Sequence, residues 1–230
     1  MQTRLRDGYR AAVLGASGAI GQAFVKRLRQ DPRCAEVLAI TRNWPCPWDL
    51  RDEASLAALA AQLHGPMHLV VDATGALALP EGPPEKRLQE LQTDRLQAQF
   101  QVNAIGPALL LKHLLPLLAR QERVVWAKLS ARVGSIGDNR KGGWYGYRAA
   151  KAALNQLLQT AAIEIARQRP QAVLAALQPG TVRSALSQPF VGEDATDPAQ
   201  AVEGMLRALD RLEPTGRAQF VDHAGQPVPW

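Results

Sequence analysis

The stretch Ala11-Ala12-Val13-Leu14-Gly15-Ala16-Ser17-Gly18-Ala19-Ile20-Gly21-Gln22-Ala23-Phe24-Val25-Lys26-Arg27-Leu28 decides the fold. Four apolar residues read as a short buried strand. A glycine-rich turn follows, and then a helix with apolar residues at helical spacing. Glycines let such a turn close and let backbone approach a pyrophosphate. The helix start offers unpaired N–H groups and the positive end of its dipole to an anion. An ordinary strand-to-helix turn would look similar, but the strand before it and the helix after it favour dinucleotide binding.

Outward from this unit the pattern repeats. Strand-like runs fall at 11–14, 37–40, 68–73, 123–129, 173–177 and 218–221. Helical patterns occupy about 21–30, 53–63, 87–120 in two pieces, 147–167 and 198–212. Strands alternating with helices of this length imply an α/β fold, a doubly wound parallel sheet with helices on both faces. No repeat, low-complexity segment or interdomain linker interrupts residues 1–230, so a single domain is expected. The Pro- and Gly-rich residues 76–85 read as a surface loop.

Tyr147-Arg148-Ala149-Ala150-Lys151 opens the fourth of these helical runs. Four residues apart on a helix, phenol and ammonium share a face. A positive charge there favours phenolate and lowers its pKa, which suits proton transfer near neutral pH. The spacing alone is common; its context is what carries weight.

Together these motifs resemble the short-chain dehydrogenase/reductases, and within them the C-factor-like branch, which is similar to sniffer-type carbonyl reductases. The resemblance spans essentially the whole chain. It rests on the Gly15–Gly21 turn, Asp49-Leu50, Val102-Asn103-Ala104, the run Leu129 to Ser135, Gly142 to Tyr147, Lys151, and Gln178-Pro179-Gly180-Thr181. It implies a single-domain Rossmann fold and hydride transfer between a nicotinamide cofactor and a carbonyl or alcohol. Tyr147 would act as acid/base, and Lys151 would lower the phenol pKa and bind ribose. Asn103 would bend its helix and hold a proton-relaying water. Cofactor contacts are implied for Gly15, Ser17, Gly18, Ala19, Ile20 and Gly21, for Asp49 and Leu50 after a third strand, and for Ala73, Thr74 and Gly75 after a fourth. Pro179, Gly180, Thr181 and Val182 would meet the nicotinamide carboxamide. The residues from Ser184 to Asp197 would form a lid, and residues 136–144 with Trp144 and Tyr145 the opposite wall. A homodimer or homotetramer is implied through apolar faces that include Leu109, Leu110, Leu114, Leu117, Ala153, Leu157 and Ala161.

Four departures shape the expectation. Where an NAD-binding protein carries an acid, about 20 residues past the glycine turn, this chain has Ile40-Thr41-Arg42-Asn43. A guanidinium suits a 2′-phosphate, so Thr41 and Arg42 favour NADP(H) over NAD(H). Asp72-Ala73-Thr74-Gly75 stands where the family has Asn-Asn-Ala-Gly, and Ala19 where its middle glycine falls. Aligned on Gly134, the family's oxyanion-orienting serine falls on Ala131. Ser130 then serves, or Ser135 does, or the hydroxyl is lost; Ser130 ranks first because it ends the strand. Asp49 also reads as a helix cap. The run Trp44-Pro45-Cys46-Pro47-Trp48 suits adenine packing or a partner contact, with nothing to choose between them.

Composition fits a globular chain: 47% hydrophobic and 21% charged over 230 residues, with a formal net charge of +6. The basic residues are scattered without interleaved aromatics, which argues against nucleic acid. Cys34 and Cys46 form no ligand motif and fit a reducing cytoplasmic setting. The four histidines lack zinc-like spacing. The most apolar run, Ala108 to Leu118, is too short for a membrane span and carries Lys112, His113 and Pro116. A rival function remains on the sequence alone: a cofactor-binding signalling or scaffold protein with little turnover.

Overall fold

A computed structural model describes residues 4–183 and 195–230. Its strands are β1 (Tyr9–Leu14), β2 (Cys34–Ile40), β3 (Leu69–Asp72), β4 (Val124–Leu129), β5 (Ala172–Gln178) and β6 (Gln219–Asp222). Its helices are α1 (Ala19–Arg29), α2 (Glu53–Ala61), α3 (Thr93–Phe100), α4 (Gly106–Leu114), α5 (Tyr145–Ala166) and α6 (Pro198–Arg211). The strands form one sheet in the order β2-β1-β3-β4-β5-β6. Every adjacent pair is parallel. The order turns back between β1 and β3, which opens a crevice beyond their C-terminal ends.

Period-two alternation supplies two cores. Ala12, Leu14, Val70, Trp126, Leu174 and Ala176 face one side, packed with residues of α2, α4 and α5. Ala11, Val13, Val71, Val125, Ala127 and Ala175 face the other, against Phe24 and Leu28 of α1 and Val202 and Met205 of α6. Strands buried on both faces are what near-continuous apolar runs predict for a parallel sheet. Among the described residues no helix is long and apolar enough to cross a membrane.

The structure departs from the sequence reading in three places. Between β2 and α2 the described residues hold no strand, although the resemblance implied one. Pro45 and Pro47 remove ladder donors there. The chain closes instead into a knot in which Trp44 N–H and the Trp48 indole both donate to Thr41 O, and Trp48 N–H donates to Arg42 O. The long helical pattern at 87–120 breaks into α3 and α4, joined by a π turn at Gln101–Ile105. Finally, Leu110 and Leu114, expected at a subunit interface, are fully buried in the chain's own core.

Candidate active site

The glycine turn begins at the end of β1. Gly15 has φ +73°, a conformation L side chains rarely adopt, and a Cβ there would press within 3.1 Å of the Ala73 backbone. Gly18 N–H donates to Gly15 O, and a Cβ on Gly21 would collide with that same carbonyl. Helix α1 therefore starts directly behind the turn. Its N-cap, Gly18, supplies no side-chain acceptor, and its first turn holds no acid. The free N–H groups and positive dipole end fit a pyrophosphate. Ser17, Ala19 and Ile20 lie on the same turn. The Ala19 methyl at the family's middle glycine does not stop the helix from starting there.

Beside it, at the end of β2, Thr41 is half-buried and Arg42 exposed. Arg42 makes no ion pair among the described residues. Asp49 Oδ1 accepts Arg51 N–H at 2.9 Å, which shapes the approach to α2. The expected cap is corrected: Asp52 caps α2, accepting Ala54 N–H at 3.0 Å. Leu50 packs against Gly106 of α4, where a Cβ would meet its own Cβ at 2.7 Å.

Asn103 lies in the π turn, fully buried. Its amide pairs with both polar groups of one peptide unit: Nδ2 donates to Ala76 O at 2.8 Å, and Oδ1 accepts Ala76 N–H at 3.1 Å. Nδ2 also donates to Gln99 Oε1, while Gln99 Nε2 donates to Leu77 O. The loop after β3 is thus stapled to the helix pair. Gly75 is held so close that a Cβ would sit 2.9 Å from Asn103 Oδ1 and 3.4 Å from Lys151 Nζ.

Helix α5 brings Tyr147 and Lys151 under this loop. Both are buried, Tyr145 is exposed, and Lys151 Nζ stands 5.6 Å from the Tyr147 ring centre. Lys151 donates to Leu129 O at 3.1 Å, at the end of β4. Gly134 permits this approach, because a Cβ there would strike the Lys151 side chain. The expected lowering of the phenol pKa is corrected. Burial pushes Tyr147 up to about 12. Lys151 falls to about 7, first through burial, next through the charge of Lys128, against a smaller opposite pull from Asp72. Near neutral pH the lysine is only partly charged, so desolvation outweighs its help to the phenolate.

The serine question also has an answer in the geometry. Continuing the alternation of Trp126 and Lys128, Ser130 turns toward α5 and donates its hydroxyl to Asn155 Oδ1 at 2.7 Å. Ser135, 1% exposed, accepts Asp138 N–H and donates to Trp230 O. Ranking Ser130 first as oxyanion donor is therefore corrected: both hydroxyls are engaged within the protein. Ala131, half-buried and extended, occupies the intervening place.

At the end of β5, Gly180 has φ +80° and packs on the His223 ring. Thr181 O accepts Thr196 N–H, and Val182 bridges to Thr196, which joins the two flanks of the expected lid. The expected lid itself falls mostly on 184–194, outside the described residues. Its last expected member, Asp197, caps α6 through Ala199 N–H.

Sequence reasoning missed three participants. Gln99 joins Asn103 in the staple. Glu85, 2% exposed, caps α5 by accepting Gly146 N–H at 3.1 Å, while its carbonyl accepts from Trp144. Lys128 is buried between β3 and α5. The charged residue in the otherwise apolar run Val124–Leu129 was the one visible signal. Trp144, left-handed at φ 52°, stands edge-on to Tyr147 at 6.4 Å between ring centres.

Residues 10–219 match a family model described as enoyl-(acyl carrier protein) reductase, one of the short-chain dehydrogenase/reductase models. The chain is 38% identical to C-signal of Myxococcus xanthus over 57% of its length and 76% of that protein's. It is 30% identical to 1-hydroxy-2-glutathionyl-2-methyl-3-butene dehydrogenase of Rhodococcus, over 79% and 78%. Its fold is similar to NADPH-bound carbonyl reductase from chicken fatty liver, with TM-score 0.84, 21% identity and coverage of 99% and 96%. The Sniffer carbonyl reductase of D. melanogaster superposes with TM-score 0.81 at 22% identity, covering 96% and 99%.

Proposed function

Because this chain belongs to the short-chain dehydrogenase/reductase family of oxidoreductases, we propose that it is an NADPH-dependent carbonyl reductase or alcohol dehydrogenase. One observation carries the reading. Asn103, more than 40 residues away in sequence, meets Tyr147 and Lys151 of α5 at the crevice that the Gly15–Gly21 turn also borders. The substrate is a small carbonyl or alcohol compound, the setting cytoplasmic, and the assembly a homodimer or homotetramer.

Gly15, Ser17, Gly18, Ala19, Ile20 and Gly21 would hold the pyrophosphate, with Asp49 and Leu50 toward the adenine. Ala73, Thr74, Gly75 and Lys151 would meet the nicotinamide ribose. Pro179, Gly180, Thr181 and Val182 would bound the carboxamide. The bound nicotinamide supplies hydride chemistry. The protein's part is the proton. Tyr147 donates its phenolic hydrogen to the oxygen of the carbonyl, and burial keeps that hydrogen in place until it is needed. Lys151, charged, then stabilises the phenolate left behind. Asn103 keeps the Ala76 peptide and Gly75 fixed beside Lys151.

A carbonyl panel followed by NADPH absorbance tests this. Tyr147→Phe should retain fold and NADPH binding while turnover falls about 10²–10⁴-fold. Unchanged turnover in that variant overturns the assignment. A chain that binds NADPH but reduces no carbonyl supports the second reading, a cofactor-binding signalling protein. That reading draws on the engaged serines and on the likeness to C-signal.

Cofactor choice is assigned to Arg42, exposed at the end of a strand where no carboxylate stands. NADPH should bind at least about tenfold more tightly than NADH, a difference of about 1.4 kcal/mol. Arg42→Ala should remove most of that preference and leave NADH binding nearly unchanged. Titration by nicotinamide fluorescence decides it, and equal affinities in the unmutated chain refute it.

A further inference from the structure

Directly behind Lys151 lies an ion pair with no solvent exposure. Lys128 on β4 and Asp72 on β3 are register partners, and Lys128 Nζ meets Asp72 Oδ1 at 2.9 Å. Nζ also donates to Thr74 O at 2.7 Å and to Thr74 Oγ1 at 2.9 Å. Three acceptors match the three hydrogens of an ammonium, whereas a neutral amine has two. Asp72 Oδ1 further accepts from Thr74 N–H and Thr74 O–H. All of these bonds converge on the segment Asp72–Gly75, whose Ala73 packs on Gly15 and whose Gly75 packs on Lys151 and Asn103. Asp72 Oδ2 is buried without a partner.

We propose that Lys128 is a positioning residue for the reaction: its buried pair with Asp72 fixes the 72–75 segment against Lys151, and its ammonium opposes a second positive charge there. The inference rests on the role assigned to Lys151 above. A buried ion pair is costly and is readily replaced by apolar groups, so stability does not explain one at this position. Its neighbour does. The groups acting on Lys151 are few. Lys128 on β4 opposes its charge, Asp72 on β3 supports it, and the π turn contributes the neutral Asn103. Tyr147, on the same helix, keeps its proton at neutral pH. Arg132, in the turn after β4, is engaged by Asp138 and Asp222. Burial is the first cause that holds Lys151 toward its neutral form, and Lys128 is the nearby charge that adds to it.

The test removes both charges together, because Lys128→Met alone would strand a buried carboxylate. Asp72→Asn/Lys128→Met keeps the volume and leaves no uncompensated ion. Two readouts follow in the unmutated and paired backgrounds. The first needs no turnover: denaturant stability of the apoprotein against pH, with and without Lys151→Met, locates the Lys151 titration in each background. The second is the alkaline limb of carbonyl turnover with NADPH. Lys128 acts on Lys151 more strongly than Asp72, so the titration and the limb should both move to higher pH. A titration that stays in place in a folded paired variant overturns the proposal and leaves Lys128 a structural residue. If the titration moves but no carbonyl is reduced by the unmutated chain, the electrostatic role stands and the carbonyl reductase reading fails instead.

Discussion

Ala131 is where one methyl stands in place of an expected hydroxyl, and the neighbouring residues do not make up the difference. Ser130 gives its hydrogen to Asn155, and Ser135 is engaged by Asp138 and Trp230. The backbone at Ala131 is extended, φ −155° and ψ 144°, so a serine fits without strain. Ala131→Ser should therefore add a donor toward the carbonyl oxygen and raise kcat. Losing a single such donor elsewhere costs about 10²–10³-fold, which bounds the gain. Ser130→Ala should leave kcat nearly unchanged. It should lower stability by about 1–3 kcal/mol, since it strands the buried Asn155 amide. Steady-state kinetics on both variants check this, and a large kcat loss in Ser130→Ala with no gain in Ala131→Ser would restore Ser130 to the oxyanion. The sequence reading had already located the displaced serine. It left the direction of the Ser130 side chain open, because a bulge at the strand end would have reversed it. The β4–β5 register is regular through Leu129, and Ser130 N–H continues it by donating to Leu177 O, which leaves no bulge before Ser130.

At the scale of elements, the strand and helix spans followed apolar periodicity closely, since burial on both sheet faces leaves little ambiguity in the pattern. The glycine turn was legible because close backbone approaches demand glycine at Gly15 and Gly21. Glu85 at the start of α5 was not legible. A helix start satisfied from about 60 residues away leaves no local signature. The direction of the Tyr147 shift was misread for a related reason: spacing reveals a neighbouring charge but not the desolvation that surrounds it. The apolar face of α5 has its own consequence. Ala153, Leu157 and Ala161 make an i, i+4 stripe in which Leu157 is 42% exposed and the alanines are half-buried. With Leu110 and Leu114 already in the core, this stripe and the half-buried Leu109 and Leu117 are what remain for a symmetric contact, and two-fold pairing is the common solution. The chain should be a homodimer or homotetramer by light scattering at micromolar concentration, and Leu157→Glu should shift it toward monomer. A monomeric mass for the unmutated chain sinks that expectation.

For the whole molecule, two buried titrating groups act on stability in opposite pH ranges. Lys151 has a folded-state pKa of about 7, against about 10.4 in an unfolded chain. Between these values the unfolded chain holds a proton that the folded chain has released. Stability therefore rises with pH across that window, by at most about 1.4 kcal/mol per unit from this group, and is lost as pH falls back toward 7. Tyr147 works the other way. Its folded pKa of about 12 exceeds the unfolded value of about 10, so its contribution is full below pH 10 and lost between 10 and 12. Lys128, also shifted down by burial, adds a slope of the same sign as Lys151. A bare pH profile would mix the two lysines, and a difference measurement separates them. Lys151→Met should be more stable than the unmutated apoprotein at pH 7, because it removes a buried ammonium that burial disfavours. That advantage should shrink steadily toward pH 9.5 as the unmutated chain escapes the penalty. Urea denaturation at four or five pH values measures the difference directly. A constant gap across that range would mean that Lys151 keeps its proton throughout, held by charges stronger than the desolvation around it.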